Sequence, residues 1–226
     1  MSPALPWSQI ETVLLDMDGT LLDLKFDSEF WLQHVPQALA AAREIPLEQA
    51  RALIRAEYHA VRHTMNWYCF DYWSDRLQLD IYAMTTAHGP TARLREDTLP
   101  FLQALRQSGR RTILLTNAHP YSLAVKVEHT ALDEYLDGMI STHHYGVPKE
   151  DQRLWQQVQQ DVQFDPAQTL FVDDAEVILD AARQFGIGYC LGVENPDSAA
   201  DVIRFTRHPG IRDYRTLLPG ILGQNA

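Results

Sequence analysis

The sequence has little of what exported and membrane proteins usually contain. Its 226 residues include two cysteines, Cys69 and Cys190, which lie far apart and in dissimilar surroundings. Such cysteines predict neither a disulfide framework nor a zinc site. No apolar run approaches the roughly 20 residues that cross a bilayer, and no basic residue precedes Lys25, so no signal peptide is expected. We therefore expect a cytoplasmic protein that does not enter a membrane.

Positive charge is also scarce. The chain has 19 Lys and Arg against 30 Asp and Glu, which gives a formal net charge of -11. No basic run is long enough to neutralise a row of phosphates, so the charge argues against a nucleic-acid partner. A small anion held by a metal ion and a few local donors remains compatible. At 46% hydrophobic residues the chain can bury a sizeable core.

One acidic motif follows an apolar run near the start of the chain. The segment Val13-Leu14-Leu15 resembles a buried strand and is followed at once by Asp16-Met17-Asp18-Gly19-Thr20. If the chain stays extended, both carboxylates point to the same face; if it turns at Asp18, one side chain and one main-chain carbonyl converge instead. In either case hard oxygen donors lie beside a glycine, a pattern that suits magnesium and phosphate.

The rest of the chain divides into a helical insertion and an alternating region. Between about Leu24 and Arg93 the strand signal disappears, and apolar residues recur at helical spacing from Leu47 to Met65. From Arg95 onward, predicted helices alternate with short predicted strands rich in Val, Ile and Leu. The helices are expected over 99–107, 120–130, 150–161 and 175–185, and the strands over 111–115, 138–141, 169–172 and 188–193. This pattern predicts an α/β fold, with a Rossmann-like parallel sheet and helices on both faces.

Polar residues follow the predicted strands of this sheet. Thr116 and Asn117 end one strand, Asp173 and Asp174 end another, and Lys149 precedes a helix. Because ligands bind at the carboxyl ends of parallel strands, we expect these groups to meet Asp16 and Asp18. An acidic cage, a hydroxyl and one ammonium fit phosphoryl transfer, in which the protein mainly positions groups and neutralises charge.

These four segments resemble the four motifs of the haloacid dehalogenase superfamily of hydrolases. The first matches Asp16-x-Asp18-Gly19-Thr20, the second Thr116-Asn117, the third Lys149, and the fourth the paired form Asp173-Asp174. The resemblance spans nearly the whole chain. It implies a core formed by residues 1–23 and 94–226 and an inserted helical cap, of the C1 type, formed by residues 24–93.

The resemblance also implies a role for each motif residue. Asp16 is then the nucleophile that forms an aspartyl-phosphate, and Asp18 protonates the leaving group and then activates water. Thr116, Asn117 and Lys149 bind the phosphate. Mg²⁺ is bound by Asp16, by the main-chain carbonyl of Asp18 and by Asp173, with Asp174 in a supporting position. The substrate implied is a small-molecule phosphomonoester.

Within the superfamily, the sequence is similar to bacterial purine 5'-nucleotidases of the GMP/IMP type. That similarity includes Asn66-Trp67-Tyr68-Cys69 in the insertion, and it implies a purine nucleoside monophosphate as substrate. Aromatic residues crowd between Trp67 and Trp73. On a single helix, Trp67, Phe70 and Leu77 share one face and Tyr68, Tyr72 and Arg76 another. One face then packs in the cap, while the other is free to stack on a base.

Other functions fit the motifs less fully. The core motifs do not separate a nucleotidase from a sugar-phosphate phosphatase or a phosphoglucomutase. Dehalogenation is disfavoured by Asp18, because that chemistry needs no acid for an alcohol leaving group. A phosphate-sensing protein without turnover would usually lack Asp16, Asp18 or Lys149, and all three are present. We expect Cys69 and Cys190 to act as small apolar residues. For His119, His143 and His144 the sequence favours surface or hydrogen-bonding roles and leaves contact with the substrate as the alternative.

Overall fold

A single parallel sheet forms the centre of the protein. The computed structural model describes residues 4–223, and within them six strands are arranged in the order β3-β2-β1-β4-β5-β6. All neighbouring strands run parallel. The predicted α/β class is therefore confirmed. The strands are β1 Thr12–Leu15, β2 Arg111–Thr116, β3 Gly138–Ser141, β4 Thr169–Asp173, β5 Tyr189–Val193 and β6 Gly210–Ile211.

Helices connect these strands and follow the last of them, and a π-helical segment, Phe30–His34, joins the first two helices. In the described part of the chain they are α1 Lys25–Glu29, α2 Val35–Arg43, α3 Leu47–Val61, α4 Met65–Tyr68, α5 Phe70–Leu77, α6 Ile81–His88, α7 Thr98–Gln107, α8 Pro120–Thr130, α9 Gln152–Val162, α10 Glu176–Phe185 and α11 Leu218–Ile221. None of the helices within residues 4–223 is both long and apolar enough to span a bilayer.

The two faces of the sheet bury separate apolar clusters. Successive side chains of a strand point to opposite faces. Accordingly, Val13 packs with Phe101 of α7 on one face, whereas Leu14 packs with Trp155 of α9 and Leu179 of α10 on the other. Both faces of β1 are therefore covered, which explains why its sequence is a continuous apolar run instead of an alternating one.

The strand register determines which side chains meet at the edge of the sheet. Leu15 is level with Leu114 in β2 and with Val172 in β4. The main-chain N–H of Asp16 donates to the carbonyl of Val172 at 3.0 Å. The residues that follow β1 and end β4, Asp16 and Asp173, therefore emerge side by side at the carboxyl edge.

The segment between β1 and α7 contains helices and no ladder strand among the described residues, and it has its own apolar cluster. The buried members of this cluster are Phe30, Val35, Leu39, Ala50, Ile54, Phe70, Trp73, Leu77 and Ile81. They form a set separate from the two clusters of the sheet. This segment folds around an interior of its own.

Two helical predictions in this segment are wrong in detail. The helix expected to run to Met65 ends at Val61, because the chain turns through His63 at a φ of 64°. The helix expected to carry Trp67 to Arg76 is broken at Cys69, whose backbone is extended (φ -90°, ψ 117°). The break separates Trp67 from the helical register of Phe70, so the two-face prediction for this stretch does not hold.

The alternating region follows its predicted order closely. Predicted helices and strands from residue 99 to 193 all occur, with ends that shift by two residues at most. The largest shift is at α9, which was expected to begin at Glu150 and begins at Gln152, because the Asp151 side chain accepts from the N–H of Arg153 at 2.9 Å. The two-residue strand β6 was not predicted, since it is too short to show a periodic pattern.

Candidate active site

Three carboxylates converge where β1 and β4 end. Oxygen atoms of Asp16, Asp173 and Asp174 lie within 4.8 Å of one another. Asp16 and Asp173 are buried, with 6% and 0% of their surface exposed. Several buried carboxylates repel one another unless a cation compensates them. Because all the donors are carboxylate oxygens, the group fits a hard divalent cation such as Mg²⁺.

The ammonium of Lys149 joins two of these carboxylates. Its Nζ donates to Asp16 Oδ1 at 2.5 Å and to Asp173 Oδ2 at 2.7 Å. The main chain of Lys149 is also fixed, since its N–H donates to Asn117 Oδ1 and its carbonyl accepts from Trp155 Nε1, each at 2.9 Å. Lys149, which the sequence predicted to meet the acidic motif, therefore contacts Asp16 and Asp173 from a main chain that is held in place.

Burial and charge perturb the titration of this group. Burial raises the pKa of Asp16 to about 7, the Lys149 ammonium opposes that rise, and the neighbouring charge of Asp173 adds to it. Burial also raises the pKa of Asp173. It raises the pKa of Asp174 as well, and the neighbouring negative charge of Asp173 adds to that rise. The carboxylates bind protons readily when no cation is bound, so a cation and protons compete for the same oxygens.

The chain turns directly after Asp18, which decides between the two geometries left open by the sequence. The N–H groups of Leu21 and Leu22 donate to the carbonyl of Met17 at 2.9 and 2.8 Å, and Gly19 has a φ of 80°. The carboxylate of Asp18 is not part of the acidic group. A side chain at Gly19 would place its Cβ 2.6 Å from Asp174 Oδ2, so glycine permits both the turn and the close approach.

Thr116 and Asn117 end β2 beside this group, and both are buried. Thr116 Oγ1 accepts from the N–H of Ala118 at 3.0 Å, which leaves its own O–H free to donate. Both polar atoms of the Asn117 side chain bond to the protein. Its Oδ1 holds the Lys149 N–H, and its Nδ2 donates to Glu150 Oε2 at 3.1 Å. This side chain therefore fixes the lysine loop, the segment before α9 that carries Lys149 and Glu150.

A cavity of about 370 Å³ extends from these polar groups to the inserted helices. Its volume lies in the range of pockets that enclose small organic ligands. Trp31, Trp67, Tyr68 and Phe70 line the side that the insertion supplies. Trp67 and Phe70 were assigned to one face of the single predicted helix and Tyr68 to the other, yet all three line the cavity, because the helix is broken at Cys69. The Phe70 ring also stacks on His119, with centroids 4.8 Å apart and planes 5° from parallel.

Sequence reasoning missed two charged residues in the cavity. Lys126 of α8 donates from Nζ to Asp18 Oδ1 at 2.7 Å and to both carboxylate oxygens of Asp27 in α1, at 2.9 and 2.8 Å. The sequence did contain a signal for Lys126, because the chain has only three lysines and Lys149 alone matched a motif. Asp27 carries no sequence signal, because its partner is 99 residues away.

Glu150 was also missed as a contact between the insertion and the sheet. Besides Asn117, it accepts from Tyr68 Oη at 2.9 Å and contacts His63 Nδ1 at 3.2 Å. Tyr68 lies in α4 and His63 just before it. The lysine loop and the insertion are thus hydrogen-bonded to each other at the cavity.

The histidines occupy the roles expected of them only in part. His119 lines the cavity, and its Nδ1 accepts from the N–H of Tyr121 at 3.2 Å. His143 lies beside His119, and its buried Nε2 has no hydrogen-bond partner within residues 4–223. Burial lowers the pKa of His143 to about 4. His143 is therefore neutral near pH 7.

Comparisons with known proteins place this site in a family. The sequence profile of the haloacid dehalogenase-like hydrolases matches residues 10–186. The chain is 57% identical over 216 residues, 96% of its length and 97% of the relative's, to the GMP/IMP nucleotidase YrfG of Escherichia coli (strain K12).

Solved structures share the fold at low sequence identity. A HAD phosphatase from Thermococcus onnurineus superimposes with a TM-score of 0.78 at 22% identity, covering 95% of this chain and 98% of its own. The L-2-haloacid dehalogenase from Xanthobacter autotrophicus does so with a TM-score of 0.63 at 20% identity, covering 96% and 100%. By its profile match and its full-length relative, this chain belongs to the haloacid dehalogenase-like hydrolases.

Proposed function

We propose that this protein is a Mg²⁺-dependent phosphomonoesterase that hydrolyses purine 5'-nucleotides such as GMP and IMP. The observation that carries the proposal is the Lys149 ammonium between Asp16 and Asp173, next to a cavity lined by aromatic side chains. The full-length similarity to a GMP/IMP nucleotidase supports the choice of nucleotide. The net charge of -11 argues against a nucleic-acid polymer as the substrate.

In the proposed reaction Asp16 and Asp18 have separate tasks. A carboxylate oxygen of Asp16 attacks phosphorus, the bond from phosphorus to the nucleoside oxygen breaks, and Asp18 gives its proton to that oxygen. Asp18, now ionised, takes a proton from water as the water attacks the aspartyl-phosphate. This second step releases inorganic phosphate and restores Asp16. The separation of the Asp18 carboxylate from the acidic group supports this division.

The remaining motif residues handle charge and position. The O–H of Thr116 donates to a phosphoryl oxygen, and the Lys149 ammonium screens the negative charge of the nucleophile and the phosphate. Asn117 keeps the lysine loop in place through the main-chain N–H of Lys149. Mg²⁺ bound by Asp16, Asp173 and the Asp18 carbonyl, with Asp174 in support, would neutralise charge on the transferred phosphoryl group.

Residues 24–93 are the proposed cap domain of this enzyme. Their separate apolar cluster and their contacts with the cavity support that assignment. In this position the cap limits access of water and supplies aromatic surface for a purine base. Trp31 and Trp67 are the proposed stacking surfaces, because Phe70 is 95% buried and already stacked on His119.

The test is a panel of phosphomonoesters with purified protein and Mg²⁺. We expect phosphate release from GMP and IMP to exceed release from sugar phosphates, to stop when a chelator is added, and to resume when Mg²⁺ is restored. Asp16→Asn should release no detectable phosphate, because an amide does not attack phosphorus in this way. Beryllium fluoride should bind the wild-type protein and not Asp16→Asn.

Two results would overturn parts of this proposal. Efficient cleavage of a hexose phosphate with no cleavage of any nucleotide would make the enzyme a sugar-phosphate phosphatase or, if phosphate is transferred between sugar positions, a phosphoglucomutase. No turnover across the whole panel would contradict the assignment as a phosphomonoesterase.

A further inference from the structure

Lys126 is a buried ammonium in the active-site cavity that matches none of the four motifs. Its side chain is 1% exposed, and a charge at that depth is unfavourable unless it is paired. An ammonium has three N–H donors. Three carboxylate oxygens surround this one at hydrogen-bond distance, one from Asp18 and two from Asp27. No donor is left for a substrate phosphate, so Lys126 acts through its protein partners.

The first partner of Lys126 is the proposed acid and base. Among residues 4–223, Lys126 is the one group that donates a hydrogen bond to the Asp18 carboxylate. The carboxylate is 20% exposed and faces the cavity without other side-chain restraint. An ammonium 2.7 Å from Oδ1 competes with any cation in the acidic group for this carboxylate. The lysine therefore favours an Asp18 orientation directed away from the acidic group.

The second partner connects this arrangement to the inserted segment. Asp27 lies in α1, the first helix after the motif, and accepts from Lys126 with both oxygens. The ring of Phe26, the preceding residue, lies 4.9 Å from Nζ. Lys126 itself belongs to α8 of the sheet domain. The position of the ammonium thus depends on how α1 is seated.

We propose that Lys126 is a positioning residue for proton transfer, which holds the Asp18 carboxylate toward the leaving group and is itself fixed by Asp27 of the cap. The inference rests on the proposed function, in which Asp18 is the acid. It extends that function by adding two residues outside the motifs. It also makes the position of the acid depend on the docking of α1.

The experiment compares two phosphate esters that differ in their need for an acid. IMP has a nucleoside alkoxide as leaving group and needs a proton; p-nitrophenyl phosphate has an acidic phenol and needs little help. The rate of phosphoenzyme formation is measured by rapid quench, which isolates the step before water attacks. Lys126→Met keeps the length of the side chain and removes its charge.

We expect Lys126→Met to slow phosphoenzyme formation from IMP by about 10²-fold or more, the range assigned to general acid catalysis, and formation from p-nitrophenyl phosphate by less than about tenfold. Lys25→Met is the matched control, because Lys25 is 48% exposed and pairs only loosely with Glu29 at 3.7 Å. The control should leave both rates unchanged. Equal slowing with the two esters, or no slowing with either, would overturn the proposal.

Asp27→Asn keeps the test decisive if Lys126→Met does not fold. This variant keeps the shape of the side chain and weakens its hold on the ammonium, so it should show the same preference for the aryl ester with a smaller loss. If Asp27→Asn slows phosphoenzyme formation from IMP and from the aryl ester by the same factor relative to wild type, the proposal is again overturned. If wild type ignores nucleotides, the proposed function fails separately, and the same ratio is measured with the alkyl phosphate that it does cleave.

Discussion

At the scale of single residues, protonation of the acidic group competes with cation binding. The pKa of Asp16 is raised from 3.8 to about 7, chiefly by burial. In the metal-free folded protein this carboxyl therefore keeps its proton over a pH range in which the unfolded chain has lost it. The unfolded state binds fewer protons there, so this group makes stability fall as pH rises from about 4 to about 7. Bound Mg²⁺ should offset that loss.

Because protons and Mg²⁺ compete for the acidic group, the binding of Mg²⁺ should depend on pH, and this can be measured without turnover. Mg²⁺ affinity, measured by isothermal titration calorimetry, should be higher at about pH 8.5 than at about pH 5.5, and the rise in Tm on adding Mg²⁺ should follow the same trend. Asp16→Asn should reduce the pH dependence, because its amide does not titrate. An affinity that is equal at both pH values would contradict the prediction.

At the scale of secondary-structure elements, the site is built where helices fix loops that follow strands. Helix α9 begins next to Lys149, and its buried Trp155 donates from Nε1 to the Lys149 carbonyl at 2.9 Å. Asn117, directly after β2, holds the N–H of the same residue. The main chain of Lys149 is thus held on both sides of its Cα, through its N–H and through its carbonyl.

Trp155→Phe should uncouple α9 from the lysine loop. The change leaves a buried carbonyl without its partner, which should lower the free energy of unfolding in urea by about 1 to 3 kcal/mol. It should also lower kcat, because the Lys149 ammonium is held less firmly between Asp16 and Asp173.

The matched control for this change is Trp7→Phe, in a tryptophan that is 6% exposed and does not line the cavity. It makes the same chemical change without touching the lysine loop, so kcat should stay at the wild-type value. A Trp155→Phe variant with wild-type kcat and reduced stability would show that the bond supports the fold alone.

At the scale of the whole molecule, the protein has two interiors connected across one cavity. The apolar cluster of the insertion is separate from those of the sheet. Beside the cavity, the connections are contacts between individual side chains: Asp27 with Lys126, Tyr68 with Glu150, and the Phe70 ring with His119. Contacts of this kind hold two domains together less firmly than a continuous apolar core. This organisation agrees with the proposed boundary of the cap at residues 24–93.

Trp73→Ala should show whether the two interiors unfold separately. Trp73 is 1% exposed in the apolar cluster of the insertion, and its truncation should cost about 3 to 5 kcal/mol of stability. Hydrogen exchange should become faster in α3 and α5, while β1 and β4 keep their protection. Phe171→Ala, in the core of the sheet, should instead increase exchange in the strands. Equal loss of protection in cap and strands after Trp73→Ala would contradict a separate cap.

The sequence by itself determined the parts that depend on local pattern. Apolar runs followed by polar residues specified the strands and the order of the alternating region, because buried parallel strands need continuous apolar sequence. The same pattern indicated the cluster of Asp16, Asp173, Asp174 and Lys149, since carboxyl ends of parallel strands share one edge. The sequence alone also identified the haloacid dehalogenase family and its four motifs.

Only the tertiary structure decided the features that depend on partners distant in the chain. The turn after Asp18 removes its carboxylate from the acidic group. Lys126, 108 residues further along the sequence, donates to that carboxylate, and Asp27 in turn accepts from Lys126. The break at Cys69 directs Tyr68 to Glu150 and leaves Trp73 in the apolar cluster of the insertion. The spacing of residues along the chain predicts neither the Asp18–Lys126 pair nor the Tyr68–Glu150 bond, because both join residues that are far apart in the sequence.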